Sequence, residues 1–174
     1  MFQHLLGHPF RLVIGTVKLV CASHLVFTHV LELSACEGYS MLPTFAANGE
    51  WLLFDKTARR GRRVAVGDIV SYKLPFDPRN LGVKRVIGMP GDYVSLAAPG
   101  DPGDGHVLQV PKGHCWVVGD NLTLSRDSRM FGPLPLALIE GKAVASVLPW
   151  KTRGWIENGL RPLEDPIVLP PQLQ

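Results

Sequence analysis

Beyond Ser34, every apolar run in this chain is soon cut by a glycine or a proline, and that interruption excludes most helical folds. The 174 residues include 18 glycines and 15 prolines. Both are poor in helix interiors, glycine for its backbone entropy and proline for its missing N–H and its clash with the preceding turn. Between the breaks stand short runs rich in β-branched and aromatic residues. They are Trp51 to Phe54, Asp68 to Lys73, Val83 to Ile87, Tyr93 to Leu96, Val107 to Val110, Cys115 to Val118 and Ala143 to Leu148. Turn signals at Ala47-Asn48-Gly49, Pro75 to Pro78, Met89 to Asp92 and Pro99 to Gly103 separate them. This spacing predicts a mainly β fold of antiparallel strands, barrel-like or sandwiched, over residues 34–150. Ala97 to Gly105 reads as a surface loop, and residues 151–174, with four prolines, as a tail of weak structure.

The amino-terminal segment follows a different rule. Residues 12–31 hold 13 apolar positions, and their length fits a membrane span of about 20 residues. Lys18 near the middle is costly in lipid. At 100° per residue Arg11, Gly15, Lys18, Ala22 and His29 share one helix face, a stripe suited to packing on another protein or to an interfacial helix. A cleaved signal peptide would want a small-residue cleavage site, and here Glu32 follows closely instead. Residues 1–33 are therefore expected to form a membrane anchor.

Apolar residues at 46% and charged residues at 19% allow a buried core and exclude a disordered chain. A net charge of +3 is too mild to argue for nucleic acid, and no groove-reading element is apparent. Cys21, Cys36 and Cys115 are an odd count without a close pair, so neither a disulfide framework nor a zinc site is indicated. Arg59, Arg60, Arg62 and Arg63 cluster around Gly61. They read best as a solvated turn, with contact to anionic lipid as the functional alternative.

Three stretches carry candidate chemistry. In Gly38 to Thr44, Gly38 permits a sharp backbone and Pro43 stops a regular helix, so Ser40 can sit on a turn with its amide free. A serine hydroxyl becomes a nucleophile only beside a base. In Lys84 to Asp92, Lys84 and Arg85 are neighbours on a strand-like run and must face opposite ways. An ordinary lysine cannot act as a base at neutral pH, but burial disfavours its ammonium. Taken alone, this run reads more easily as a half-exposed strand whose basic heads reach water. In Gly119 to Pro133, Asp120, Asn121, Ser125, Asp127, Ser128 and Arg129 crowd between two apolar runs. A solvent-exposed loop is the simple reading, though the apolar flanks anchor its ends in the core.

Together, and in this order, the anchor, the serine segment, Gly67-Asp68-Ile69 and the last two stretches resemble the type I signal peptidase family. The likeness covers about residues 10 to 150, and within the family it is to the branch of the mitochondrial inner membrane. Asp127-Ser128-Arg129, and Asp77-Pro78 ahead of Lys84, carry that finer likeness. The resemblance implies a serine endopeptidase with a Ser–Lys dyad and neither cofactor nor metal. Ser40 would be the nucleophile and the source of one oxyanion N–H, and Lys84 the general base. Ser125 would hydrogen-bond and orient Lys84. Asp127 would hold the loop by pairing with Arg129 and Arg85, with Asp120, Asn121 and Ser128 supporting the site. Gly38 replaces a hydroxyl residue that can supply a second oxyanion donor in bacterial relatives, and Tyr39 replaces a small residue. The implied partners are preprotein substrates, the lipid bilayer and a sister protease subunit, with the catalytic domain facing the intermembrane space.

The residues leave other readings open. His114 and Asp120 could complete a Ser–His–Asp triad with Ser40. A self-cleaving repressor shares Ser–Lys chemistry but needs a DNA-binding domain, for which residues 1–39 give no signal. A membrane-anchored β module that binds or assembles other proteins would need no catalysis at all.

Overall fold

The computed structural model describes residues 9–97, 100 and 105–159. Helix α1 spans Pro9–His29. Proline suits a helix start, where its fixed φ fits and its missing N–H is no loss. From Phe10 to His29 the mean hydropathy is 1.6, and none of this stretch is buried against the rest of the fold. Twenty residues rise about 30 Å, the thickness of a bilayer's hydrocarbon core. Thr16 returns its hydroxyl to Leu12 O at 3.0 Å, satisfying one polar group within the helix.

The chain turns directly from helix to sheet. Val30 N–H still donates to Val26 O at 2.8 Å, and strand β1 (Leu31–Cys36) begins at the next residue. The anchor boundary expected at residue 33 therefore falls inside a strand. β2 (Glu50–Asp55), β3 (Ile69–Leu74), β4 (Asp77–Gly88), β5 (Tyr93–Ser95), β6 (Val107–Gln109), β7 (His114–Val118), β8 (Leu134–Pro135), β9 (Ile139–Leu148) and β10 (Gly154–Trp155) follow. A four-residue helix, α2 (Ser128–Phe131), lies between β7 and β8. The main sheet runs β1-β2-β9-β3-β4-β7-β8, with β10 added to β9 and β5–β6 as a separate ribbon. Every pairing is antiparallel. The expected class, mainly antiparallel β behind one N-terminal helix, is the class observed.

Side-chain alternation sets the packing. On β2, Glu50, Leu52 and Phe54 are buried while Trp51 faces out. On β3 both faces are covered. Ile69 joins Met41, Phe45, Leu52 and Phe54, whereas Val70 and Tyr72 join Val86, Val117 and Ile139. Each fully buried aliphatic side chain here contributes about 1.5–3 kcal/mol. β3 is thus fixed from both sides, and it holds β4, the strand that carries Lys84, in register.

Two local expectations change. The turn between β3 and β4 is only Pro75–Phe76, and Asp77 already pairs with Leu74. The pairing next resumes at Lys73 and Leu81, so residues 78–80 bulge, and Pro78 lacks an N–H where no ladder bond is needed. The tail does not start at residue 151, because Trp155 pairs with Ala145 and Ile156 N–H donates to Val144 O at 2.9 Å. Residues 160–174, and most of the loop expected over Ala97 to Gly105, lie outside the described residues. The arginine cluster forms a turn, as read, tied down by Arg59 to Glu140 and Arg63 to Asp55 ion pairs.

Candidate active site

The serine segment is held as a rigid turn between the core and the loop after β7. Met41 and Phe45 are both 5% exposed and anchor it in the core. Gly38 adopts φ +120°, a conformation open to glycine, and gives its N–H to Ala47 O at 2.7 Å. Asn121 clamps the other side. Its backbone N–H donates to Ser40 O at 3.0 Å and its Nδ2 to Tyr39 O at 3.1 Å. None of the described hydrogen bonds uses the Ser40 N–H.

Lys84 reaches this turn from β4 across 44 residues of sequence. The residue is 6% exposed, and Nζ lies 2.8 Å from Ser40 Oγ and 2.9 Å from Val83 O. Burial lowers its pKa below the ordinary lysine value, against a weaker opposing pull from the Asp127 and Asp120 carboxylates. A neutral amine beside a serine hydroxyl is the arrangement a lysine base requires.

Arg85 leaves the strand on the opposite side, as alternation demands. Its Nε and Nη2 donate to the two oxygens of Asp120 at 2.9 and 2.8 Å, and Nη1 to Gly67 O at 2.9 Å. Burial opposes ionisation of Asp120, but hydrogen bonds from Arg85 and Thr44 outweigh it and keep its pKa below the usual value. The pairing of Asp127 with Arg85, expected from the sequence, is therefore corrected: Asp120 stands at the end of β7 beside Arg85 and takes that role. Asp127 is fully buried and caps α2. It accepts from Arg129 Nε and Nη2, both at 2.9 Å, and from Gly119 N–H at 3.0 Å. Ser128 Oγ accepts from Val117 N–H at 3.0 Å, tying α2 to β7.

The expected Ser125–Lys84 hydrogen bond is also corrected. Lys84 Nζ bonds to Ser40 and Val83, while the buried Ser125 Oγ makes no hydrogen bond of good geometry among the described residues. Ser125 is nonetheless close enough to Asp127 to help keep that carboxylate ionised. It also lies against Gly119, where a Cβ would stand 2.2 Å from Ser125 Oγ and 2.5 Å from Ser40 O. The need for glycine at 119 was not read from the sequence, nor was the Thr44–Asp120 contact. A His114–Asp120–Ser40 triad is not assembled. His114 opens β7 and pairs with Pro135, whereas Asp120 follows the other end of that strand.

The dyad opens onto a groove of ≈ 600 Å³ between the edge strand β1 and the β3–β4 hairpin. Ser34, Ala35 and Cys36 line one wall, and Ser71, Gly82 and Val83 the other. Burial and the nearby Glu50 push the Cys36 thiol up to about 11, so it stays protonated at neutral pH.

The family described as signal peptidase, peptidase S26, matches residues 10–101 and 98–150 of this sequence. The chain belongs to that family. Mitochondrial inner membrane protease subunit 1 of Homo sapiens is 38% identical over 168 residues, covering 95% of this chain and 100% of the relative. The subunit 1 of Schizosaccharomyces pombe is 36% identical, over 89% of this chain and 96% of the relative. Subunit 2 of the same yeast is 32% identical, over 86% and 82%. The likeness to subunit 1 first read in Asp127-Ser128-Arg129 thus extends over nearly the whole chain. This peptidase S26 member is a serine peptidase with a helix fit to anchor it in a membrane.

Proposed function

We propose that this peptidase cleaves sorting presequences from proteins inserted in or passing the mitochondrial inner membrane, by Ser40 attack with Lys84 as general base. The observation that carries the mechanism is the 2.8 Å contact between Lys84 Nζ and Ser40 Oγ. The substrate's extended segment adds as a strand in the groove beside β1, where backbone hydrogen bonds hold it and small pockets select small side chains near the scissile bond. Lys84, neutral when free, takes the Ser40 proton as Oγ bonds to the scissile carbonyl carbon. The Ser40 N–H stabilises the resulting oxyanion, an interaction worth about 3–4 kcal/mol. Gly38 has no hydroxyl, and its N–H is already given to Ala47, so it adds no second donor. Lys84 then gives its proton to the leaving amine as the C–N bond breaks. In the second half it takes a proton from water as the water oxygen adds to the acyl carbon, and returns that proton to Ser40 Oγ as the ester bond breaks.

A test follows from the lowered lysine pKa. With a presequence peptide, kcat/KM is expected to rise with pH as Lys84 loses its proton, with a midpoint below the ordinary 10.5. A midpoint at the ordinary lysine value, or a flat profile in Lys84's range, would remove Lys84 from the base role.

The expected limits, an anchor through residue 33 and a catalytic domain over 34–150, become on this reading an anchor helix ending at His29 and a catalytic domain running from β1 through β10. A sister subunit is supported by the subunit names of the relatives and by the polar stripe through Lys18 and His29, while orientation toward the intermembrane space follows from the family resemblance alone. In mitochondria carrying a tagged chain, added protease is expected to reach the catalytic domain only after outer-membrane rupture, and a second family member should co-purify. Protection in ruptured organelles, or purification alone, would contradict the respective part.

A further inference from the structure

Tyr72 is among the largest fully buried side chains in the described fold, yet its hydroxyl has no hydrogen-bond partner among the described residues. Phenylalanine would fill the same space without burying an unpaired polar atom, so the hydroxyl calls for a reason. Its place suggests one. The β3–β4 register pairs Tyr72 with Gly82 and Val70 with Lys84, so Tyr72 and Lys84 lie on one face, one diagonal step apart. Gly82 leaves room for the ring tip, since a Cβ there would stand 2.9 Å from Tyr72 Cζ and 3.0 Å from its hydroxyl oxygen.

The other side of Lys84 repeats the pattern. Val118 pairs with Arg85, which places Gly119 next to Lys84, and Ser125 Oγ packs over Gly119. Ser125 Oγ is the second buried hydroxyl without a hydrogen bond of good geometry among the described residues, the Asp127 carboxylate being its polar neighbour. The two hydroxyls thus belong to opposite flanks of Lys84, Tyr72 on β3 and Ser125 in the loop after β7, each packed against a glycine. A lysine ammonium carries three N–H donors, and two directions around Nζ are taken by Ser40 and Val83. We propose that Tyr72 is a positioning residue for the general base, its hydroxyl and that of Ser125 holding one buried water against the Lys84 amine and so aiming that amine at Ser40. Buried waters typically make about three hydrogen bonds to polar groups of this kind. The inference rests on the Ser40–Lys84 reading given above.

The charges facing this cluster are few. Asp127 and Asp120 act on Lys84 from the loop after β7, and each is itself paired, with Arg129 and Arg85 respectively. Burial, with Asp127 and Cys115 nearby, pushes Tyr72 far up, so it stays a neutral donor. Burial also lifts the Cys115 thiol, on β7, to about 12, leaving it uncharged.

Tyr72→Phe in the full chain tests the idea by the pH dependence of kcat and by thermal melting. The variant keeps the ring and should fold. The ammonium loses a hydrogen-bond partner, so the rising limb should move to lower pH. kcat should fall about tenfold with KM unchanged. Ser125→Ala combined with it should cost less than the product of the two single effects. An unchanged limb and kcat, with a higher melting temperature, would show a merely tolerated hydroxyl and overturn the proposal. Wild-type cleavage lost in Ser40→Ala, alongside an unaffected Tyr72→Phe, would sink this inference while leaving the dyad standing.

Discussion

Ser40→Ala and Lys84→Ala are each expected to reduce cleavage of a presequence-bearing substrate by about 10⁴-fold or more, with the double variant little worse than either single one. The residues act as one unit. Without Lys84 the Ser40 proton has no acceptor, and without Ser40 the amine has nothing to activate. Neither change should unfold the protein. Lys84 is 6% exposed, and replacing a buried amine with alanine removes a group that burial penalises in its charged form. The decisive assay is cleavage by folded variants, matched by melting temperature, with His114→Ala retaining wild-type rates. Equal activity in wild type, Ser40→Ala and Lys84→Ala would end the dyad reading.

The second large effect is on stability. Asp127→Ala is expected to destabilise the catalytic domain by about 3–5 kcal/mol, because it leaves the Arg129 guanidinium, only 14% exposed, without its carboxylate. It also removes the acceptor for Gly119 N–H and the cap of α2. For a chain of this size that is a fall of about 6–20 °C in melting temperature. A fall of under 2 °C would show that Arg129 finds its support elsewhere. The pH dependence has a definite sign. Burial raises the Asp127 pKa, but the Arg129 and Gly119 hydrogen bonds lower it by more, so the folded pKa lies below the unfolded one. The stabilisation is therefore complete above the ordinary carboxylate value of 3.8 and is lost as pH falls through the lowered one.

Much of the fold was legible because strand periodicity is local. β2, β3 and β7 are compact runs of β-branched and aromatic residues between clear breakers, and they fold where they were read, whereas β9 begins at Ile139 rather than Ala143 and runs through Gly141. β1 was hidden because Leu31 to Cys36 continues an apolar stretch whose helical part ends only at His29, so nothing in composition marks the change of period. β10 is two residues long and exists only because β9 offers an edge, a tertiary cause that sequence pattern does not carry.

The site divides along the same line. The opposite facing of Lys84 and Arg85 follows from alternation alone. Which carboxylate meets Arg85 depends on how the loop after β7 runs, and the first acidic residue past the strand end, Asp120, takes the place given to Asp127. Ser125 lay in the right neighbourhood, but its atomic partner is a matter of ångströms that spacing does not encode. Gly119 looked like one more turn residue, whereas a side chain there would strike both Ser125 and the Ser40 carbonyl.

Asn121 stitches the nucleophile's turn to the loop that steadies the basic side chains, using its backbone for one stitch and its amide for the other. On the Ser40–Lys84 reading, reactivity is thereby made a late product of folding. An unfolded copy holds an ordinary alcohol and a fully protonated amine. The two become a working pair only once β4 and the loop after β7 have closed around the Ser40 turn.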